Sequence, residues 1–132
     1  MTAAVALDGV VTFAEGLPGF ESCRQFVVVR SPEMQPFTVI QGLDAGGPSF
    51  VALDPRRVAG DFATDLDRVD LARLGSNGQE PLLWLAIVAA REDGPATANL
   101  RAPLVINPAA MRGIQLLGVD SPYAIDYPLQ VG

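Results

Sequence analysis

The chain has 132 residues, 49% of them hydrophobic and 18% charged, with 13 Gly and 11 Pro, which describes a single domain, 1–132, able to bury roughly 70% of its unfolded surface. Nine Arg face fifteen Asp and Glu for a formal net charge of −6, with no Lys and no His; such a chain repels polyanions, which argues against nucleic acid as a direct ligand and leaves a basic protein partner electrostatically allowed. The absence of His removes the usual acid–base residue and metal ligand, and the single Cys23 excludes an internal disulfide or a Cys-rich zinc site.

No apolar run approaches the roughly 18 residues of a membrane span. The opening Met1-Thr2-Ala3-Ala4-Val5 lacks the basic flank and long apolar segment of a secretory signal, so the expected compartment is the cytoplasm.

In chain order, Asp8-Gly9 leads into a first strand at 10–13, and Glu15-Gly16-Leu17-Pro18-Gly19-Phe20 is punctuated as a loop. Strands follow at 25–30, a β-branched run stopped by Ser31-Pro32, then at 37–41, and at 50–53 before Asp54-Pro55. Leu66, Val69 and Leu74 recur at helical spacing, with Thr64 or Asp65 as the cap and Gly75 past the end; one amphipathic helix of about ten residues is expected there. The apolar stretch 82–90 reads as a strand because Pro81 precedes it and Asp93-Gly94-Pro95 turns the chain back. Residues 97–106 alternate, with Ala98, Leu100, Ala102, Leu104 and Ile106 on one side, which predicts a half-buried partner strand with Pro103 at an edge or bulge. A short strand at 113–117 and an irregular tail from Asp120 complete the chain. The fold class is mainly β: a small sandwich or partly closed barrel with one short helix.

Chemistry is sparse. Without His or Lys no Ser–His–Asp triad or Ser–Lys dyad is available, and nothing generates a thiolate at Cys23, which reads as a buried thiol. Gly16-Leu17-Pro18-Gly19 has no helix after it and is flanked by Glu15 and Glu21, which argues against phosphate binding. Asp54, Asp61, Asp65, Asp67 and Asp70 are the remaining catalytic or cation-binding candidates, and their simpler reading is a solvated helix and its approach. Phe26, Phe37, Phe50 and Trp84 sit in apolar runs as core, while Phe13 and Phe20 bracket the Gly/Pro loop. No catalytic residue, cofactor or metal site is expected.

Two longer motifs go further. Phe13-Ala14-Glu15-Gly16-Leu17-Pro18-Gly19-Phe20-Glu21 resembles the Phe-Pro-Glu-Gly-Leu-Pro-Gly-Phe-Glu signature of the flagellar assembly factor family FliW. Thr97-Ala98-Asn99-Leu100-Arg101-Ala102-Pro103-Leu104-Val105-Ile106-Asn107 resembles its second motif, and Phe50-Val51-Ala52-Leu53-Asp54-Pro55 its strand ending in Asn-Pro or Asp-Pro. The resemblance implies a small antiparallel β-barrel-like domain that binds CsrA, an RNA-binding translational repressor, and flagellin, so that secretion of flagellin frees the factor to sequester CsrA. Glu15, Leu17 and Phe20 in the loop and Asn99 and Asn107 in the late motif are the partner-binding candidates, joined by Arg101, which alternation turns to the non-core side. For Phe20 the alternative is a plug, and for both Asn residues the satisfaction of turn or ladder-end backbone groups.

Three departures stand out. Ala14 replaces the family's Pro, the segment before Phe13 is shorter than its opening hairpin, and Asp126 and Tyr127 stand where Arg and His usually occur. The altered tail motivates a second function, a flagellin export chaperone that does not touch CsrA. A small β-barrel enzyme using the aspartates is the third.

Overall fold

A computed structural model describes residues 5–6, 9–17, 20–43, 47–117 and 122–129. Asp8, Pro18, Gly19, Asp120 and Ser121 of the motifs above lie outside them. Among the described residues ten strands are formed: β1 (Val5–Ala6), β2 (Val11–Thr12), β3 (Gln25–Arg30), β4 (Phe37–Gly42), β5 (Ser49–Leu53), β6 (Leu83–Ala89), β7 (Thr97–Ala98), β8 (Leu104–Asn107), β9 (Arg112–Gln115) and β10 (Tyr127–Pro128), with helix α1 (Arg68–Arg73) between β5 and β6.

Neighbouring strands from β2 to β6 are antiparallel, β6 continues to β8 and β8 to β9, and β9 returns to β2 as a parallel pair, so seven strands close a barrel. That closure is thin: Thr12 lies opposite Arg112 and its amide donates to the Met111 carbonyl at 3.0 Å. β6 is shared by two neighbours, since Leu83, Trp84 and Leu85 pair with β8 while Val88 and Ala89 pair with β7. The opening segment survives as β1, paired with Val29 and Arg30.

Alternation along the strands divides the apolar residues into two cores. Phe26, Val28, Ile40, Ala52, Leu85, Leu104 and Ile106 fill the barrel together with Val11, Phe13, Leu17 and Cys23. The opposite faces of β6, β8 and β9 present Trp84, Ala86, Val105 and Ile114 to a second cluster with Leu53, Phe62, Leu74, Leu100 and Leu129. The long connection from β5 to β6 and the tail cover these outer faces. β8 is therefore buried at every position, where simple alternation predicted a half-buried strand.

Four further expectations are corrected. The single strand at 97–106 is broken, because the Asn99 carboxamide oxygen accepts from the amides of Arg101 and Ala102, both at 3.1 Å, and Pro103 has no amide to continue a ladder. The helix has six residues, with Asp67 as its cap through a 2.8 Å bond from the Asp70 amide; it buries little, and Val69 is 67% exposed. Phe37 lies at the surface, at the mouth of a barrel end rather than inside. The tail is not wholly irregular, since Tyr127 and Pro128 pair with β7. Gly75 does take the left-handed conformation past the helix, at φ +64°.

Candidate functional site at the signature loop

The loop between β2 and β3 is built by its aromatic and glycine positions. Phe13 enters the barrel and meets Phe26 edge to face, with ring centroids 5.4 Å apart. Gly113 makes room for it, because a Cβ there would approach three Phe13 ring carbons to under 3.0 Å. The Gly16 amide then bonds the Phe13 carbonyl at 2.8 Å, and Gly16 turns with φ +67° directly against the Glu21 backbone, a placement that needs the absence of a side chain. Leu17 follows into the core at 2% exposure. Phe20 returns the chain through a 2.7 Å bond to the Leu17 carbonyl, and its ring packs edge-on against Phe50.

Beside this loop lies a cleft of about 520 Å³ walled by Glu15 and Glu21 of the loop, Arg73 of α1, and residues 110–115 leading through β9. Glu15 reaches across it to form an ion pair with Arg73, which also bonds Asp70 at 3.3 Å. Burial together with the neighbouring Asp67 carboxylate pushes the Asp70 carboxyl above its ordinary value; Arg73 opposes this without cancelling it. Arg112 lines the same cleft and makes no ion pair among the described residues.

The six marked residues thus fall into three pairs. Glu15 is exposed on the cleft wall and Phe20 is 42% exposed at the loop's return. Leu17 and Asn107 are buried and frame the site from within. The Asn107 carboxamide donates to the Leu74 carbonyl at 2.9 Å and accepts from the Ala109 amide at 3.1 Å, so it fixes the end of the helix that carries Arg73. Asn99 and Arg101 belong elsewhere: Asn99 makes the turn before β8, and Arg101 donates to the Tyr123 carbonyl at 2.9 Å, tying down the tail. Arg73 and Arg112 were not singled out by sequence. Arg73 reads as solvated helix face until the fold brings Glu15 to it from 58 positions away.

The aspartates do not converge. Asp54 caps the 3-10 turn at Pro55–Arg57 and chelates Arg56, Asp67 caps α1, and Asp70 meets Arg73. Among the described residues no group of three or more His, Cys, Asp or Glu is placed to hold a metal ion. No helix among them is long and apolar enough to cross a membrane.

Comparison with known proteins agrees with this arrangement. The family model described as FliW protein matches residues 2–129. The flagellar assembly factor FliW of Caldanaerobacter subterraneus subsp. tengcongensis is 33% identical over 124 residues, covering 92% of this chain and 83% of that protein. That of Syntrophotalea carbinolica is 33% identical over 122 residues, covering 92% and 87%. A crystal structure of the flagellar assembly factor FliW superposes with a TM-score of 0.80 at 29% identity, covering 90% of this chain and 84% of that one. With its signature loop, its barrel and a family match across residues 2–129, the chain belongs to the FliW family of flagellar assembly factors.

Proposed function

We propose that this flagellar assembly factor is a cytoplasmic regulatory binding protein that takes CsrA and flagellin in alternation and performs no catalytic step. Family membership across residues 2–129 is the observation that carries the reading. When flagellin leaves by secretion, the freed factor holds CsrA away from flagellin mRNA; when flagellin accumulates, it occupies the factor and CsrA represses again. The charge of −6 favours encounter with a protein that itself carries an RNA-binding, basic surface. Glu15, held by Arg73, and the cleft beside it offer such a partner an oriented carboxylate, which lowers the ordering cost of association.

A second reading, a flagellin chaperone that does not bind CsrA, is favoured by one observation: Asp126 and Tyr127, where the family carries Arg and His, are both exposed. Isothermal titration of the chain with CsrA and with flagellin of the same organism separates the two. Binding of both, weakened by salt in the CsrA case, is the expected result. Heat with flagellin alone selects the chaperone, and no heat with either overturns the assignment of partners.

A further inference from the structure

The barrel seam at the cleft has a backbone edge that no strand among the described residues covers. β9 pairs with β8 through Arg112 opposite Asn107 and Ile114 opposite Val105, and the Leu116 amide bonds the Pro103 carbonyl at 2.9 Å. In an antiparallel ladder only alternate residues turn their amide and carbonyl toward a given neighbour. The bonded positions toward β8 are thus 112, 114 and 116, while Met111, Gly113 and Gln115 face the other way. Met111 confirms the phase, since its carbonyl accepts from Thr12. β2 ends at Thr12 and the chain turns off at Ala14 into the signature loop, so the Gly113 carbonyl and both backbone groups of Gln115 meet the cleft instead of a strand.

Side chains there point the same way. The Gln115 carboxamide donates to the Ala102 carbonyl at 3.1 Å, which orients it, and leaves its Oε1 buried without a partner among the described residues. A native protein rarely leaves such an acceptor unmet. Glu15, 73% exposed, stands on the facing wall, in the field of a chain carrying −6. Leu117 is exposed at the rim.

The geometry points to strand addition: an extended, basic segment of a protein partner lies in the cleft, bonds the free edge of β9 at Gly113 and Gln115, and places a cationic side chain against Glu15. Main-chain bonds supply the affinity, and Glu15 supplies the preference for Arg or Lys against the opposing charge of Arg112, which lines the same cleft. This deepens, and rests on, the reading of the protein as a partner-binding factor. It also assigns Arg73 a function as the internal cation that the partner's own displaces from Glu15.

Proline at position 115 tests it, because the Gln115 amide is not used by β8. Gln115→Pro removes that donor, and Gln115→Ala loses the side chain but keeps the amide. Both are compared with the parent chain for melting temperature and for binding of CsrA and of flagellin. In parallel, amide exchange is followed in the complexes of the parent chain, which needs no variant to fold. Expected are slowed exchange of the Gln115 amide in one complex, and binding about tenfold weaker for Gln115→Pro than for Gln115→Ala. A partner that binds without slowing that amide overturns strand addition and leaves the proposed function standing. If neither partner binds, that function fails, and a blocked hexapeptide of alternating Arg and Val decides the edge. Saturable shifts at 113–115 in the parent chain keep it; none up to millimolar peptide overturns it.

Discussion

Asn107 is the residue on which the cleft's geometry depends, and its removal has a calculable cost. It is 0% exposed, donates to the buried Leu74 carbonyl at 2.9 Å and accepts from Ala109 at 3.1 Å. Ala109 is at the surface, so its amide turns to water when the side chain is lost. Leu74 is fully buried, and its carbonyl has no such recourse. Asn107→Ala therefore loses one satisfied buried acceptor, about 1–3 kcal/mol, and leaves a small void, for a total of about 2–3 kcal/mol. At this chain length each kcal/mol lowers the melting temperature by roughly 3–5 °C. Asn107→Asp sharpens the test, because it keeps the shape but turns a carboxylate toward the Leu74 carbonyl. Its folded-state pKa is raised, so the variant recovers stability as pH falls and the carboxyl regains a proton to donate, and loses it as pH rises. Urea denaturation between pH 4 and 8 reads both effects. If Asn107→Ala costs under about 0.5 kcal/mol and Asn107→Asp shows no pH dependence beyond the parent's, Asn107 does not hold the helix end and this reasoning is refuted.

Gly113→Ala places a methyl on the Phe13 ring and is expected to cost about 1–3 kcal/mol by overpacking, measured by urea melts; Gly113→Ala combined with Phe13→Leu should recover part of it. Glu15→Gln breaks the ion pair with Arg73 in an exposed setting and should change stability by less than about 1 kcal/mol while weakening the basic partner measurably in a titration. Burial raises the Asp54 carboxyl, but hydrogen bonds from Arg56 and the charges of Arg56 and Arg57 outweigh this and hold it below 3.8. Its contribution to stability is thus present above that value and lost as pH falls through the folded pKa. Asp54→Asn, which preserves the cap, should flatten the acid limb of the stability profile below pH 3.8, and an unchanged slope contradicts the assignment.

What the sequence made legible was local. Residues 25–30 are β-branched and closed by Ser31-Pro32, and β3 occupies those positions; Gly75 marked the helix end because only a left-handed residue suits it. Phe13 and Leu17 had no periodicity to assign them inward, and the barrel interior accepts Phe13 because Gly113, a hundred residues on, lacks a Cβ. Val105 reads as an outward position on a half-buried strand, yet the 54–82 connection and the tail bury it from outside. The alternation is intact, and only the identity of what lies beyond each face is nonlocal. The cleft was hidden for the same reason: its Glu15–Arg73 pair and its open β9 edge exist only because β2 and β9 meet in parallel. The family motifs pointed to the loop, but not to the residues across from it.

The measurement that bears most directly on the assignment of function is a displacement experiment. Labelled CsrA is bound to the purified factor, and flagellin of the same organism is then titrated in at constant salt. Flagellin is expected to release CsrA with a saturating dependence on its concentration, and CsrA in excess to reverse the release. Formation of a ternary complex without release, or flagellin binding to a factor that never held CsrA, would contradict the partner switch.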